Sequence, residues 1–125
     1  MKVLFGNKIK KHLLNFSEQD RKKIFNFASH VQQYGLVSLQ GKNKRSDGFS
    51  NDDPQFAQKM ALVKEYNLWH YHIGIPSYQN SLVGEYKTSE YVLHYVRGDD
   101  HIKIVDLSRH PPFSLPSKDC LEDPP

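Results

Sequence analysis

A chain of 125 residues with fifteen aromatic side chains (seven Tyr, seven Phe, one Trp) has the size and the large apolar groups of one packed domain, although 25% of it is charged. Its length excludes two-domain dinucleotide enzymes and TIM barrels, no apolar run nears the roughly 20 residues of a membrane-spanning helix, and a lone cysteine, Cys120, excludes an internal disulfide or a Cys-based zinc site. Seventeen Lys and Arg against fourteen Asp and Glu leave a formal charge of +3, and seven histidines add groups that titrate near neutral pH.

Residues 1–16 carry two patterns. Val3 and Phe5 suit a strand, whereas Ile9, Leu13 and Leu14 have helical spacing. The early return to polar residues after Phe5 predicts no secretory signal, and with the single cysteine it points to the cytoplasm. A helix follows: Ser17 is its N-cap, Glu18 and Asp20 suit the positive end of its dipole, and Gly35 stops it. Ile24, Phe27, Ala28, Val31 and Tyr34 form its apolar stripe.

Residues 40–53 are polar and punctuated by glycine, which predicts a loop; Lys42, Lys44 and Arg45 cluster there as candidate contacts for a phosphate backbone. Asp53-Pro54 has the form of a helix start, and Phe56, Met60, Val63 and Tyr66 would be the buried face of that second helix. Beyond residue 66 the period becomes two. Trp69, Tyr71, Ile73 and Ile75 alternate with His70, His72 and Gly74, the pattern of a half-buried strand ended by Pro76. A polar stretch runs to Ser89. Tyr91–Arg97 and His101–Leu107 then read as a hairpin about Gly98-Asp99-Asp100. Arg109 and His110 lie just past the last strand, where Pro111-Pro112 would stiffen the exit. Residues 114–125 read as a Pro-containing tail, neither strand nor helix over most of their length, behind a single domain of 1–113. The expected fold class is α+β, a small antiparallel sheet with the N-terminal helices packed on one face.

Chemistry concentrates in the histidines. Side chains two apart on a strand share a face, so His70 and His72 project together, about 7 Å apart, opposite the apolar row. Assigning Leu93 and Tyr95 to the core, on the face they share with Arg97, sends His94 to the same face as His70 and His72, expected to be bare. Imidazoles and a guanidinium supply a proton acceptor, a proton donor and positive charge for an oxyanion without a metal. Asp106 and Glu85 are isolated, so a glycosidase-type carboxylate pair is unsupported, and no phosphate-cradling glycine loop is present. His70, His72, His94 and His110 also have the chemistry of a zinc ligand set, against which stands the absence of a carboxylate near the pair.

The order of parts, a helix pair, Trp69-His70-Tyr71-His72-Ile73, Glu90-Tyr91-Val92-Leu93-His94-Tyr95, His101 to Leu107 and a basic exit, resembles the RelE/ParE toxin superfamily. With the segment Phe27 to Gly35, the chain is most similar to the YafO-type messenger-RNA interferases. The resemblance implies a metal-independent, cofactor-free endoribonuclease that cuts mRNA, usually on the ribosome, and is neutralised by a cognate antitoxin protein. It implies His70 or His72 as general base, His110 as the acid for the leaving group, and Arg109 as the stabiliser of the transition state. Two positions depart from the pattern: Val92 stands where those enzymes carry a phosphate-binding Arg, a charge that is missing or supplied to the RNA by His94 or Arg97, and Phe113 stands where many carry a Tyr. The alternatives are a ParE-like gyrase inhibitor without nuclease activity and a small metal enzyme with histidine ligands.

Overall fold

The computed structural model describes residues 1–80, 86–110 and 113–125. Glu85, Pro111 and Pro112, each given a role or an exclusion above, lie outside them. The N-terminal ambiguity resolves as both elements in succession: strand β1 (Lys2–Phe5) runs into helix α1 (Asn7–Leu13). Helix α2 (Glu18–Tyr34) starts and stops where its local chemistry predicts. Ser17 Oγ accepts from the Asp20 backbone N–H at 3.1 Å, and Gly35 takes a φ of 77° that a side chain would resist. Ile24, Phe27, Ala28 and Val31 are buried, but Tyr34 is exposed and packs against His30 on the helix surface.

Two short elements were not anticipated. Asn43–Arg45, inside the expected loop, forms an edge strand (β2), and the tail contains helix α4 (Lys118–Leu121), capped by Ser117. Helix α3 spans Phe56–Tyr66, beginning two residues after Pro54, because Asp53 first closes a turn: its backbone carbonyl accepts from Phe56 N–H and its carboxylate from Gln55 N–H. Strands β3 (Leu68–His72), β4 (Tyr91–Arg97) and β5 (His101–Arg109) form the antiparallel meander. The sheet order is β1-β5-β4-β3-β2, antiparallel throughout except that β1 joins β5 in parallel. The fold class is α+β.

The pleat sorts the side chains into two cores. On one face Tyr71, Leu93, Tyr95, Ile102 and Ile104 meet Ile9, Leu13, Ile24, Phe27 and Val31 of the two N-terminal helices. Phe27 stacks on Tyr71 with ring centroids 4.7 Å apart. The other face was expected to be bare, and it is not. Leu68, Val96 and Val105 are covered there by Val63 of α3, Leu121 of α4 and Leu115. Residues 114–125 are therefore part of the packed unit and not an appended tail. Lys103 Nζ donates to the carbonyls of Leu121 and Asp123, and the Pro124 carbonyl accepts from Asn7 N–H. Among the described residues no helix is long and apolar enough to cross a membrane.

Candidate functional site

His70 and His94 face each other across the β3–β4 ladder, and His72 follows two residues along β3 on the same side. They continue the face that carries the second core, so their rings lie at its open end. The ring centroids of His70 and His72 are 6.0 Å apart, and those of His70 and His94 6.4 Å. His110, carried back over the sheet just beyond β5, comes within 6.0 Å of His70 and 5.5 Å of His72. The candidate nitrogens of His70, His72 and His110 all lie within 4.8 Å of one another. Four imidazoles thus share one site: strand positions predict it for His70, His72 and His94, and the chain's course beyond β5 adds His110.

Their exposure is not as predicted. His70 and His72 are each 6% exposed and His94 1%, whereas His110 is half-buried. The roof is Phe113, whose ring centroid is 4.6 Å from that of His70 and 5.1 Å from that of His110, backed by Phe49 at 5.7 Å. What the sheet pattern reads as a bare surface is a pocket. A cavity of about 160 Å³ remains between His70, His72, His110 and Phe113, with Lys42 and Lys44 at its mouth. That volume holds several waters or one phosphate group. A second cavity of about 490 Å³ adjoins it, sharing Lys42, His72 and His110 and reaching Thr88 and Glu90.

Buried imidazoles need partners, and serines provide them. Ser46 Oγ lies 2.9 Å from His70 Nδ1, and Ser108 Oγ lies 2.6 Å from His94 Nε2. The Ser89 backbone offers His72 Nδ1 both its carbonyl (3.0 Å) and its amide (3.1 Å), so either tautomer of that ring is satisfied. These contacts leave Nε2 of His70 and His72 uncommitted. The Nδ1 atoms of His94 and His110 are buried without a hydrogen-bond partner among the described residues. None of the three serines has a periodic or motif signal in the sequence; Ser46 lies in a stretch that reads as loop.

Burial, with the neighbouring imidazoles, holds the proton affinity of the group down. His70 is pushed down to about 3, first by burial and then by the charges that His94, His72, His110 and Lys44 would present to it. His94 falls to about 4 for the same first reason. His72 is lowered by burial, partly opposed by the Ser89 hydrogen bond. His110 is lowered by burial, then by Lys42 and Lys44. The pocket at neutral pH is a cluster of neutral imidazoles below two ammonium groups.

The remaining predicted residues divide by the face they occupy. Lys42 and Lys44 reach the pocket because β2 lies tight against β3: the Lys42 carbonyl accepts from His72 N–H at 2.9 Å. A Cβ on Gly41 would stand 1.9 Å from the His72 carbonyl oxygen, so only glycine allows that approach. Arg45 pairs in register with Trp69 on the opposite face, and Arg97 lies over the Trp69 ring at 4.8 Å. Arg109 is drawn away as well: paired in register with Tyr91, it is 66% exposed and its Nε donates to Glu90 at 2.9 Å. His94 is sealed behind His70 and Phe113, so it backs the pocket and does not offer a surface to RNA.

No family model, curated protein or solved structure matches this chain. The arrangement itself carries any functional reading. It presents uncharged proton acceptors in a partly closed pocket with positive charge at the entrance, which suits a phosphodiester better than a cationic or apolar ligand.

Proposed function

We propose that this chain is an endoribonuclease that cleaves mRNA, the toxin of a toxin–antitoxin pair. The observation that carries the reading is the convergence of His70, His72 and His110 on one small cavity entered past Lys42 and Lys44. The resemblance of the element order to the RelE/ParE superfamily supplies the biological setting, the ribosome as the place of cutting and a cognate antitoxin as the partner.

In this reading the RNA backbone lies across the two adjoining cavities, with one phosphate between the lysines and the imidazoles. His72, which borders both cavities and has Nδ1 held by Ser89, accepts the 2′-OH proton at Nε2. The 2′-oxygen attacks phosphorus, the bond from phosphorus to the 5′-oxygen breaks, and His110, having taken up a proton from solvent as the anionic phosphate binds, gives it to that oxygen; His72 later releases its own proton to solvent. The products are a 2′,3′-cyclic phosphate and a 5′-hydroxyl. Lys42 and Lys44 take the oxyanion role that the resemblance gives to Arg109. The phosphate dianion character that grows in the transition state favours protonation of His110, offsetting the burial that lowers it. Each proton-transfer group contributes on the order of 10²–10⁴ in rate.

The test is cleavage of RNA by the purified chain, with and without ribosomes and in the presence of EDTA. His72→Ala is expected to lower the rate by about 10² or more and Lys44→Ala by about 10², with folding checked by circular dichroism. Undiminished cleavage by the His70→Ala/His72→Ala/His110→Ala triple variant would overturn the reading. A ParE-like gyrase inhibitor predicts instead no RNA cleavage by the unaltered chain, and an early stop in DNA synthesis on expression that persists in the triple variant.

A further inference from the structure

His70, His72 and His110 are more than a set of proton acceptors. We infer that they form a binding site for one divalent transition-metal ion of the zinc class, with a fourth position open toward Lys42 and Lys44. The ion–protein contact is argued from the geometry alone. Three candidate nitrogens lie within 4.8 Å of one another. Three imidazoles on one zinc ion stand about 3.3 Å apart, given bonds of about 2.0–2.1 Å. Closure therefore asks for side-chain movements of about 1 Å or less, within the reach of small χ rotations.

Two of the three rings are already held by hydrogen bonds at Nδ1. Ser46 at His70 Nδ1 and the Ser89 carbonyl at His72 Nδ1 are the outer contacts that orient ligating imidazoles and leave Nε2 for the metal. His110 Nδ1 is buried with no partner among the described residues, an unmet polar atom that a ligand would satisfy. The donor set selects the ion. Neutral nitrogens, with no carboxylate among the described residues that line the smaller cavity, suit zinc, nickel or copper and disfavour magnesium and calcium, which require oxygen ligands. Lys42 and Lys44 oppose a bare cation but favour an anion, hydroxide or phosphate, as its fourth ligand. Phe113 closes the site from solvent.

An occupied site removes from proton transfer the lone pairs that RNA cleavage uses. The ion is thus an inhibitor of the nuclease and not its cofactor; this consequence rests on the proposed function, whereas binding does not.

The full chain, stripped of metal, is titrated with zinc sulfate by calorimetry and with cobalt(II) by visible absorption. One ion per chain and the spectrum of a four-coordinate nitrogen-ligated cobalt are expected. His72→Gln and His110→Ala each weaken binding at least tenfold. Ser46→Ala keeps all three ligands and weakens it about tenfold by freeing the His70 ring. No saturable binding by the folded chain, or affinity unchanged in both ligand variants, would overturn the site. RNA cleavage measured on the same samples separates the two claims. A fall with zinc that EDTA reverses supports inhibition, and a rise with zinc keeps the site but overturns metal-free proton transfer. Zinc binding without cleavage in either state leaves the site standing and overturns the nuclease, whereas cleavage without zinc binding does the reverse.

Discussion

His70 shows how one side chain can belong to a core and to a site. It is nearly as buried as the apolar residues beside it, yet it keeps a ring nitrogen for the cavity because Ser46 satisfies the other. Such an imidazole costs little while neutral and much once charged. Folded, His70 titrates near 3 and His94 near 4; unfolded, both return to about 6.5. In the interval the unfolded chain binds protons that the folded chain refuses, so stability is fullest above about pH 6.5 and falls as the pH drops. The slope expected is on the order of 1 kcal/mol per pH unit for such a group. Urea midpoints measured from pH 7.5 down to 4.5 in chelating buffer check this, and His94→Gln should flatten the slope; a wild-type chain indifferent to pH over that range would contradict the buried, neutral state. The co-facial placement of His70 and His72 was legible from strand alternation. Their burial was not, because Phe113 approaches them from more than forty residues away along the chain and no local pattern announces a roof.

Helix α2 and strand β2 are opposite cases. The helix is set by its own residues, a serine cap, a stripe at spacings of three and four, and a terminal glycine, so its limits were readable. The strand has only three residues, Asn43–Arg45, with no apolar alternation; it exists because β3 offers an unpaired edge and Gly41 lets the chain come close. Two substitutions separate these causes. Ser17→Ala removes a cap and is expected to cost about 1 kcal/mol while leaving RNA cleavage per folded molecule intact. Gly41→Ala forces the segment off the His72 carbonyl, costs about 1–3 kcal/mol, and moves Lys42 and Lys44 from the pocket mouth, so cleavage falls too. Chemical denaturation and cleavage assays on both variants give the comparison; equal loss of activity in the two would place β2 outside the site.

Across the fold, the sheet is a partition between two cores, and the second is completed from the C-terminal end. Leu121 is 2% exposed against Val63, Leu68 and Val105, and the backbone after it is tied to Lys103 and to the start of α1. Leu121→Ala is therefore expected to cost about 2–5 kcal/mol, a large fraction of the whole stability of a small domain. Thermal unfolding checks it; a loss below about 0.5 kcal/mol would show that residues 114–125 are the loose tail their composition suggests.

Period, caps and turn residues act over a few positions of chain, and they were enough to define α2, the β3–β5 meander, the α+β class and the common face of the histidines. Whether that face meets water depends on groups distant in sequence: α3, α4 and Phe113 cover it, and β2 closes on its edge to bring the lysines over it. Each of those contacts exists because apolar area is buried between segments that are neighbours in space alone, an energy that depends on the assembled partner surface and leaves no period in the residues that contribute to it.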